Sequence, residues 1–278
     1  MNKAFILFII IYSLTTVVSS AKDYISKNPN YIKRGSLWGS AHVANYHKNS
    51  KKHNYTIVKD PTGTSPIEIV EKFAPRKGDC SDKRGKGSNF NMGFSDCDAG
   101  KMRLEIGSGK KGQLSKAKIK RKPEERWYGY YLYIPEDFPE DIFLQPYITQ
   151  FYGHDKNSKP GYAPQISATI FKGRLEIVGE YIIDEKNLKG QWHKIEYHIR
   201  WSTQNDGFVK VYYNNELKLN RDGYTTMTHD YVQVKYGTYS WRDGYPYPEN
   251  YTFPSHTIYF AGFSVSKKRE DLKVNKIK

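Results

Sequence analysis

Runs of aromatic and β-branched residues recur along this chain, and they constrain its fold more than any other feature. In Trp192–Trp201, apolar side chains fall at every second position from Ile195 onward, which is the period of a β-strand with one buried face. Trp127–Ile134 and Thr257–Val265 are equally rich in strand-forming residues. Because little of the chain has the period of a helix, the sequence predicts an all-β protein, either a sandwich or a jelly roll.

Shorter segments between these strands extend the same pattern. Tyr147–Tyr152 is one predicted strand, and a Lys-Gly turn joins Gln165–Phe171 to Arg174–Ile183. Two asparagines separate Phe208–Tyr213 from Glu216–Leu219. Asparagine tolerates left-handed backbone conformations, so these two segments predict a hairpin.

The chain divides into four parts by composition. Residues 1–20 have a charged start, a short apolar run and small residues at the end, which predicts a secretory signal peptide. Residues 21–60 predict a polar N-terminal arm, residues 61–266 a single jelly-roll domain, and residues 267–278 a charged, frayed tail. We therefore expect a secreted protein, extracellular or periplasmic, and a monomer.

The charge of the chain indicates the chemistry of its partner. The formal net charge is +15, which favours a polyanion. The export signal disfavours nucleic acid, and no later segment is apolar enough to span a membrane. Acidic polysaccharide is the common polyanion outside the cell and is therefore the expected partner. The alternative is that the charge only reflects a proteome in which lysine is frequent.

Two cysteines, Cys80 and Cys97, are expected to form a disulfide, because an exported protein folds in an oxidising compartment. A metal site is disfavoured, since two thiolates without a nearby histidine pair leave the coordination of a metal incomplete.

The segment 232–241 carries the strongest indication of a functional site. Strand alternation places Gln233, Lys235, Gly237 and Tyr239 on one face. A glycine between a lysine and a tyrosine leaves a gap, which predicts room for a ligand lying across the strand. The alternative is an ordinary sheet face.

Two other segments place polar side chains in the same way. Arg103 and Glu105 share one face of Met102–Ile106, and Gln150 and Tyr152 share one face of the strand that precedes His154. Each pair also has a purely structural interpretation, as an ion pair or a satisfied buried amide.

Taken in order, several short motifs resemble those of secreted polysaccharide lyases with a β-jelly-roll fold, the group that includes heparin lyase I, glucuronan lyase and alginate lyases. The motifs are Gly78-Asp79-Cys80, Ser95-Asp96-Cys97, Arg103-Leu104-Glu105, Trp127-Tyr128-Gly129, Gln150-Phe151-Tyr152, Gly190-Gln191-Trp192-His193, Arg200-Trp201-Ser202 and Lys235-Tyr236-Gly237-Thr238-Tyr239. The resemblance implies a concanavalin-like sandwich with a concave substrate groove. It also implies cleavage of a 4-linked polyuronate by β-elimination.

The resemblance gives the matching residues roles that suit their chemistry. Arg103 grips the uronate carboxylate with its planar guanidinium, and Gln150 adds an amide donor. Lys235 adds positive charge, which favours the phenolate form of a nearby tyrosine. Tyr239 gives a proton to the departing O4, or takes the C5 proton as a phenolate.

The chain departs from these lyases at Tyr152, where family members commonly have a histidine. Three outcomes are open: Tyr239 acts as both base and acid, His154 supplies the base, or only sugar binding remains. A sandwich-fold glycoside hydrolase ranks last, because Glu105 is the only carboxylate among the site residues and hydrolysis needs two.

Further residues are expected to contact substrate or are considered as ligands. The substrate-binding candidates are Tyr152, Glu105, Gln233, Trp241 and Arg242. We expect no cofactor and no catalytic metal. Asp206 leaves a structural calcium open, although it is more typical of a turn.

Overall fold

The structure, a computed structural model, describes residues 54–80, 96, 100–107, 114–115, 123–154, 165–229, 231–241, 248 and 251–277. Two antiparallel sheets make up nearly all of the regular secondary structure in this part of the chain. The predicted all-β jelly-roll sandwich is therefore confirmed. No helix within these ranges is long and apolar enough to cross a membrane.

The first sheet has seven strands. In spatial order they are β1 (Tyr55–Lys59), β2 (Ile69–Phe73), β14 (Ile258–Ser266), β5 (Glu124–Tyr133), β10 (Trp192–Trp201), β11 (Gly207–Tyr213) and β12 (Glu216–Tyr224). The turn between β11 and β12 has positive φ at Asn214 (47°) and Asn215 (73°), as the two asparagines predicted.

The second sheet contains the strand with the predicted site residues. Its order is β3 (Met102–Gly107), β13 (Tyr231–Ser240), β6 (Tyr147–His154), β7 (Ile166–Phe171), β8 (Arg174–Ile177) and β9 (Glu180–Ile183), and β4 (Leu114–Ser115) also pairs with β13. A single helical turn, α1 (Glu185–Leu188), follows β9. The segment 174–183 was predicted as one strand, but positive φ at Val178 and Gly179 divides it into two.

The core lies between the sheets and is built largely from aromatic rings. The ring of Tyr236, from β13, stacks on Phe263 at 4.0 Å and contacts Phe260 at 5.2 Å between centroids. Val232 and Val234 share this buried face of β13, with exposures of 2% and 6%. The core face of the alternation predicted for the strand is therefore confirmed from Val232 to Tyr236, and the opposite face carries the polar residues.

One carboxylate is enclosed in this core. Glu71, on β2, is 2% exposed and accepts hydrogen bonds from the hydroxyls of Tyr55 (2.6 Å) and Tyr236 (3.0 Å). Burial raises its pKa to about 7, although these two hydroxyls and Lys273 oppose the shift.

The structure corrects both predicted boundaries of the domain. Strand β1 begins at Tyr55, inside the predicted arm, because it pairs with β2 at the edge of the first sheet. The predicted frayed tail contains two 3₁₀ turns, Arg269–Asp271 and Lys273–Asn275. Leu272 and Val274 are buried there, with exposures of 0% and 3%.

The C-terminal turns pack on the outer face of the first sheet. A Cβ atom at Gly129 would lie 2.9 Å from both Leu272 Cδ1 and Val274 Cγ2, so the glycine makes room for the segment. Arg269 Nη2 and Asn275 Nδ2 each donate to the carboxylate of Glu196 at 2.7 Å. The segment is thus fixed by apolar packing and by a buried carboxylate.

Candidate active site

The predicted site residues meet on one face of three neighbouring strands. In the register of the second sheet, Tyr239 on β13 pairs with Arg103 on β3, and Lys235 on β13 pairs with Gln150 on β6. Directly paired residues of antiparallel strands project to the same face. Sequence-distant residues are thereby gathered on the face of β13 opposite to the core, which we call the site face. Its predicted concavity stays a prediction.

Arg103 is held at the edge of the cluster by two contacts. Its Nη2 lies 3.0 Å from Asp96 Oδ1, and its guanidinium carbon lies 4.3 Å from the centre of the Tyr239 ring. Burial works against the charge of Arg103, but Asp96, Tyr239 and Glu105 together raise its pKa above the ordinary value. Arg103 is therefore a fixed cation, suited to binding a carboxylate.

Glu105 and Gln150 form the buried centre of the cluster. They are 5% and 2% exposed, and Gln150 Nε2 donates to Glu105 Oε1. Burial raises the pKa of Glu105, while Lys235 and Arg103 oppose the shift. Within the described part of the chain, Glu105 Oε2 accepts no hydrogen bond from the protein.

Lys235 lies beside this pair with its ammonium over an aromatic ring. Its Nζ is 4.5 Å from the centre of the Tyr152 ring, and Tyr152 is half-buried. Burial lowers the pKa of Lys235 to about 8, although Glu105 opposes the shift. The amine therefore exchanges its proton much closer to neutral pH than a lysine in water does.

Tyr239 is enclosed between two side chains. Arg103 covers its ring from one neighbouring strand, and Tyr147 stacks with it at 5.9 Å between centroids and 27° between planes. Burial raises the pKa of Tyr239 well above its ordinary value, against the opposing effect of Arg103. The sequence-based expectation that a cation would favour a phenolate is not met, because burial outweighs the charge.

Gly237 has a different role from the one predicted. Its φ is 135°, and an added Cβ would lie 2.3 Å from the backbone oxygen of Leu104 and 2.9 Å from Phe73 Cε1. The glycine therefore allows close backbone approach instead of leaving space for a ligand. The pairing of β13 with β6 shifts register between Tyr236 and Tyr239, so this irregularity also sets the direction of Tyr239.

The structure describes only some features of the remaining predicted residues. Trp241 is 39% exposed, and the ammonium of Lys101 lies 4.6 Å from its ring. The backbones of Gln233 and His154 pair with Tyr152 and Tyr231. Arg242 and Cys97 lie outside the described residues, so their predicted roles stay predictions.

Sequence reasoning missed two residues that complete the site. Asp96 was noted only as part of a motif, although it is the anion that pairs with Arg103. Tyr147 was placed on a strand without a role, and the register shift between β13 and β6 is what brings it against Tyr239. No sequence signal for either contact was available, because both depend on irregular backbone.

The carboxylates described at this site are those of Glu105 and Asp96, and Asp96 is paired with Arg103. The residues that the structure describes contain no group of three or more His, Cys, Asp or Glu side chains placed to hold a metal ion. The carboxylate of Asp206 is engaged by Arg200 at 2.9 Å and by the hydroxyl of Ser202, in keeping with the predicted turn.

Comparison with known proteins identifies the family. A family model described as Polysaccharide lyase matches residues 33–264. The chain belongs to the polysaccharide lyase family. The lyase shares its fold with the endo-β-1,4-glucuronan lyase of the fungus Trichoderma reesei, with a TM-score of 0.53 and 15% identity over 82% of this chain and 95% of that one.

Two alginate lyases are also similar to this lyase. AlgAT5, from polysaccharide lyase family 7, has a TM-score of 0.49 and 14% identity, covering 77% of this chain and 82% of its own. The alginate lyase from Corynebacterium sp. has a TM-score of 0.47 and 12% identity, covering 77% and 81%. A search of curated proteins found no match to the lyase. The family inferred from the motifs is confirmed.

Proposed function

We propose that this lyase cleaves a 4-linked polyuronate, such as alginate, glucuronan or a heparin-like polymer, by β-elimination. The observation that carries the proposal is the meeting of Arg103, Gln150, Lys235 and Tyr239 on the site face. Elimination beside a carboxylate requires donors that stabilise an enolate-like charge and a group that protonates the leaving oxygen. The cluster offers two cations, an amide and a phenol.

In this proposal Arg103 and Gln150 bind the uronate carboxylate. The proton at C5 is only weakly acidic while that carboxylate keeps its full charge, so its neutralisation lowers the barrier to proton removal. Arg103 is suited to the task because Asp96 fixes one of its nitrogens at 3.0 Å. Fixed donors in a dry site stabilise developing charge more strongly than mobile donors in water.

Tyr239 acts as the acid that protonates O4 as the C4–O bond breaks. Its buried phenol keeps its proton at neutral pH, which favours giving a proton over taking one. The half-exposed Trp241, at the end of the same strand, is placed to stack on a neighbouring sugar ring.

The cellular setting belongs to the same proposal. We infer export through the N-terminal signal, a Cys80–Cys97 disulfide, a monomer and a reaction without a metal cofactor. Acidic polysaccharide outside the cell is a substrate that suits the net charge of +15. Mass spectrometry of the unreduced exported protein tests the disulfide, because two free thiols would contradict it.

The decisive assay follows the new double bond. The purified lyase is incubated with alginate, glucuronan and heparin, and with neutral dextran as the control. Ultraviolet absorbance from an unsaturated uronate should rise with one or more of the acidic polymers and stay flat with dextran. Chain cleavage without that absorbance would identify a hydrolase instead, and no cleavage of any polyuronate would refute the proposal.

A further inference from the structure

Elimination needs a proton acceptor as well as a proton donor, and few groups on the site face can serve. Arg103 keeps its proton at all working pH values, and the amide of Gln150 does not take one up. Glu105 is enclosed beneath them and already accepts the Gln150 amide. Asp96 is paired with Arg103 at 3.0 Å. Among the described side chains of the site face, the proton-exchanging groups that then remain are Lys235 and three tyrosines, Tyr147, Tyr152 and Tyr239.

The tyrosines are poor proton acceptors. A phenol must lose its proton before it can act as a base, and phenols hold that proton near neutral pH. Tyr239 holds it more firmly than usual, because burial disfavours the phenolate. The centre of the Tyr152 ring lies 4.5 Å from Lys235 Nζ, so this tyrosine packs against the amine and helps to hold it in place.

Lys235 has the geometry of a base. It is the direct cross-strand neighbour of Gln150, so its amine stands beside the residue that binds the carboxylate next to C5. Tyr239 lies further along the same face of β13. From this arrangement we propose that Lys235 is the general base that removes the C5 proton, with Tyr239 as the separate acid. The inference rests on the proposed function.

The proton balance of the step closes without a co-reactant. The neutral amine of Lys235 takes the C5 proton and becomes an ammonium. The electron pair of the C5–H bond forms the C4–C5 double bond, the C4–O bond breaks, and Tyr239 gives its proton to O4. The Lys235 ammonium then returns a proton to the Tyr239 phenolate, which restores both groups.

The environment of Lys235 supports a neutral amine during turnover. The charged groups that face it are Glu105, Arg103 and Asp96 from the β3 side. Burial and Arg103 lower its pKa to about 8, while Glu105 and Asp96 oppose the shift. A substantial fraction of the amine is therefore unprotonated at mildly alkaline pH, which is the range in which a general base is effective.

The test is Lys235→Arg, which keeps the positive charge but cannot act as a base. Turnover is expected to fall by about 10²–10⁴-fold, the usual contribution of a positioned base, with KM changed much less. The matched control is Lys210→Arg, on the outer face of the other sheet, which should retain wild-type kinetics. Wild-type turnover should rise with pH through an apparent pKa near 8. The residual turnover of Lys235→Arg should not show that rise.

Chemical rescue separates a base from a purely structural lysine. Lys235→Ala should regain activity with added ethylamine, in proportion to the concentration of free amine, and should not regain it with tetramethylammonium. A Lys235→Arg variant with wild-type turnover and pH profile would overturn the inference while leaving the lyase activity intact. Absence of elimination by the wild-type protein would instead refute the proposed function, and with it the inference.

Discussion

The guanidinium carbon of Arg103 lies 4.3 Å from the centre of the Tyr239 ring, so the proposed carboxylate ligand also covers the proposed acid. The two residues come from different strands, and they meet because β3 and β13 pair at these positions. A substitution at either residue is thus expected to disturb the other, unless the replacement keeps its shape.

Tyr239→Phe keeps the ring under Arg103 and removes only the transferable proton. Turnover is expected to fall by about 10²–10⁴-fold, as on loss of a general acid, while polymer affinity stays nearly unchanged. Steady-state kinetics and equilibrium binding of polymer measure the two effects. The control is Tyr181→Phe, at a residue that is 50% exposed on β9, and it should have no effect. Wild-type turnover in Tyr239→Phe would show that β13 does not carry the acid.

Arg103→Ala should impair both turnover and affinity, because it removes ground-state carboxylate binding and enolate stabilisation together. Asp96→Asn should also lower turnover and affinity, but by less, since it weakens only the contact that fixes Arg103 at 3.0 Å. Asp206→Asn is a matched control, because Asp206 forms a comparable contact with Arg200 at 2.9 Å on the other sheet. An equal loss in both aspartate variants would indicate a general effect on folding.

Gly237→Ala tests the irregularity in β13. Two effects are expected to lower the stability of the folded state: the strain of an L-residue at a φ of 135° and the close approach of Cβ to the Leu104 oxygen. Gly179→Ala should introduce only backbone strain, because φ is +79° there and no atom lies within 4 Å of the added Cβ. Gly179→Ala should lower the free energy of unfolding by about 1 kcal/mol, and Gly237→Ala by clearly more. Urea unfolding measures the free energy of unfolding of both variants. Equal decreases in the two variants would show that the approach to the Leu104 oxygen has no effect on stability.

Glu71→Gln tests the buried carboxylate. The pKa of Glu71 is raised to about 7 in the folded protein, so the folded state favours the protonated form. Its contribution to stability is fully present below the unfolded pKa of about 4.5 and is lost as pH rises through 7. The free energy of unfolding of wild type relative to Glu71→Gln should therefore fall by about 3 kcal/mol between pH 4.5 and pH 8.

Urea unfolding of both proteins at several pH values gives this difference directly, because all other titrating groups are common to the two. A difference that does not change with pH would mean that Glu71 keeps an ordinary affinity for protons in the folded state.

Sequence alternation predicted the strands where they are regular. Strand β10 begins and ends at the predicted residues, Trp192 and Trp201, and its apolar side chains alternate regularly from Ile195 onward. The pattern failed where the backbone leaves the β region, as at Val178 and Gly179, where φ is 53° and 79°. A single apolar run cannot reveal such a break, since valine is itself a strong strand former.

The site was predictable to the extent that it depends on strand faces. Lys235 and Tyr239 share a face by alternation, and the motif order placed Arg103 and Gln150 with them. The ion pair with Asp96 and the stacking of Tyr147 could not be predicted, because they depend on a loop and a register shift. The C-terminal segment was wrongly predicted to be frayed because it is highly charged. Its two apolar residues, Leu272 and Val274, are too few to form a recognisable hydrophobic pattern, yet both are buried.

The order of strands in the two sheets has a consequence for biosynthesis. Strands β13 and β14 follow all others in sequence, yet β13 lies between β3 and β6, and β14 lies between β2 and β5. While a ribosome is still producing β12, neither sheet has the strand that joins its two parts. The site face therefore cannot assemble until synthesis has passed Ser240, the last residue of β13, and pairing over such sequence distances is slow. The nascent chain consequently remains without enzymatic activity, and with unpaired strand edges, through most of its translation.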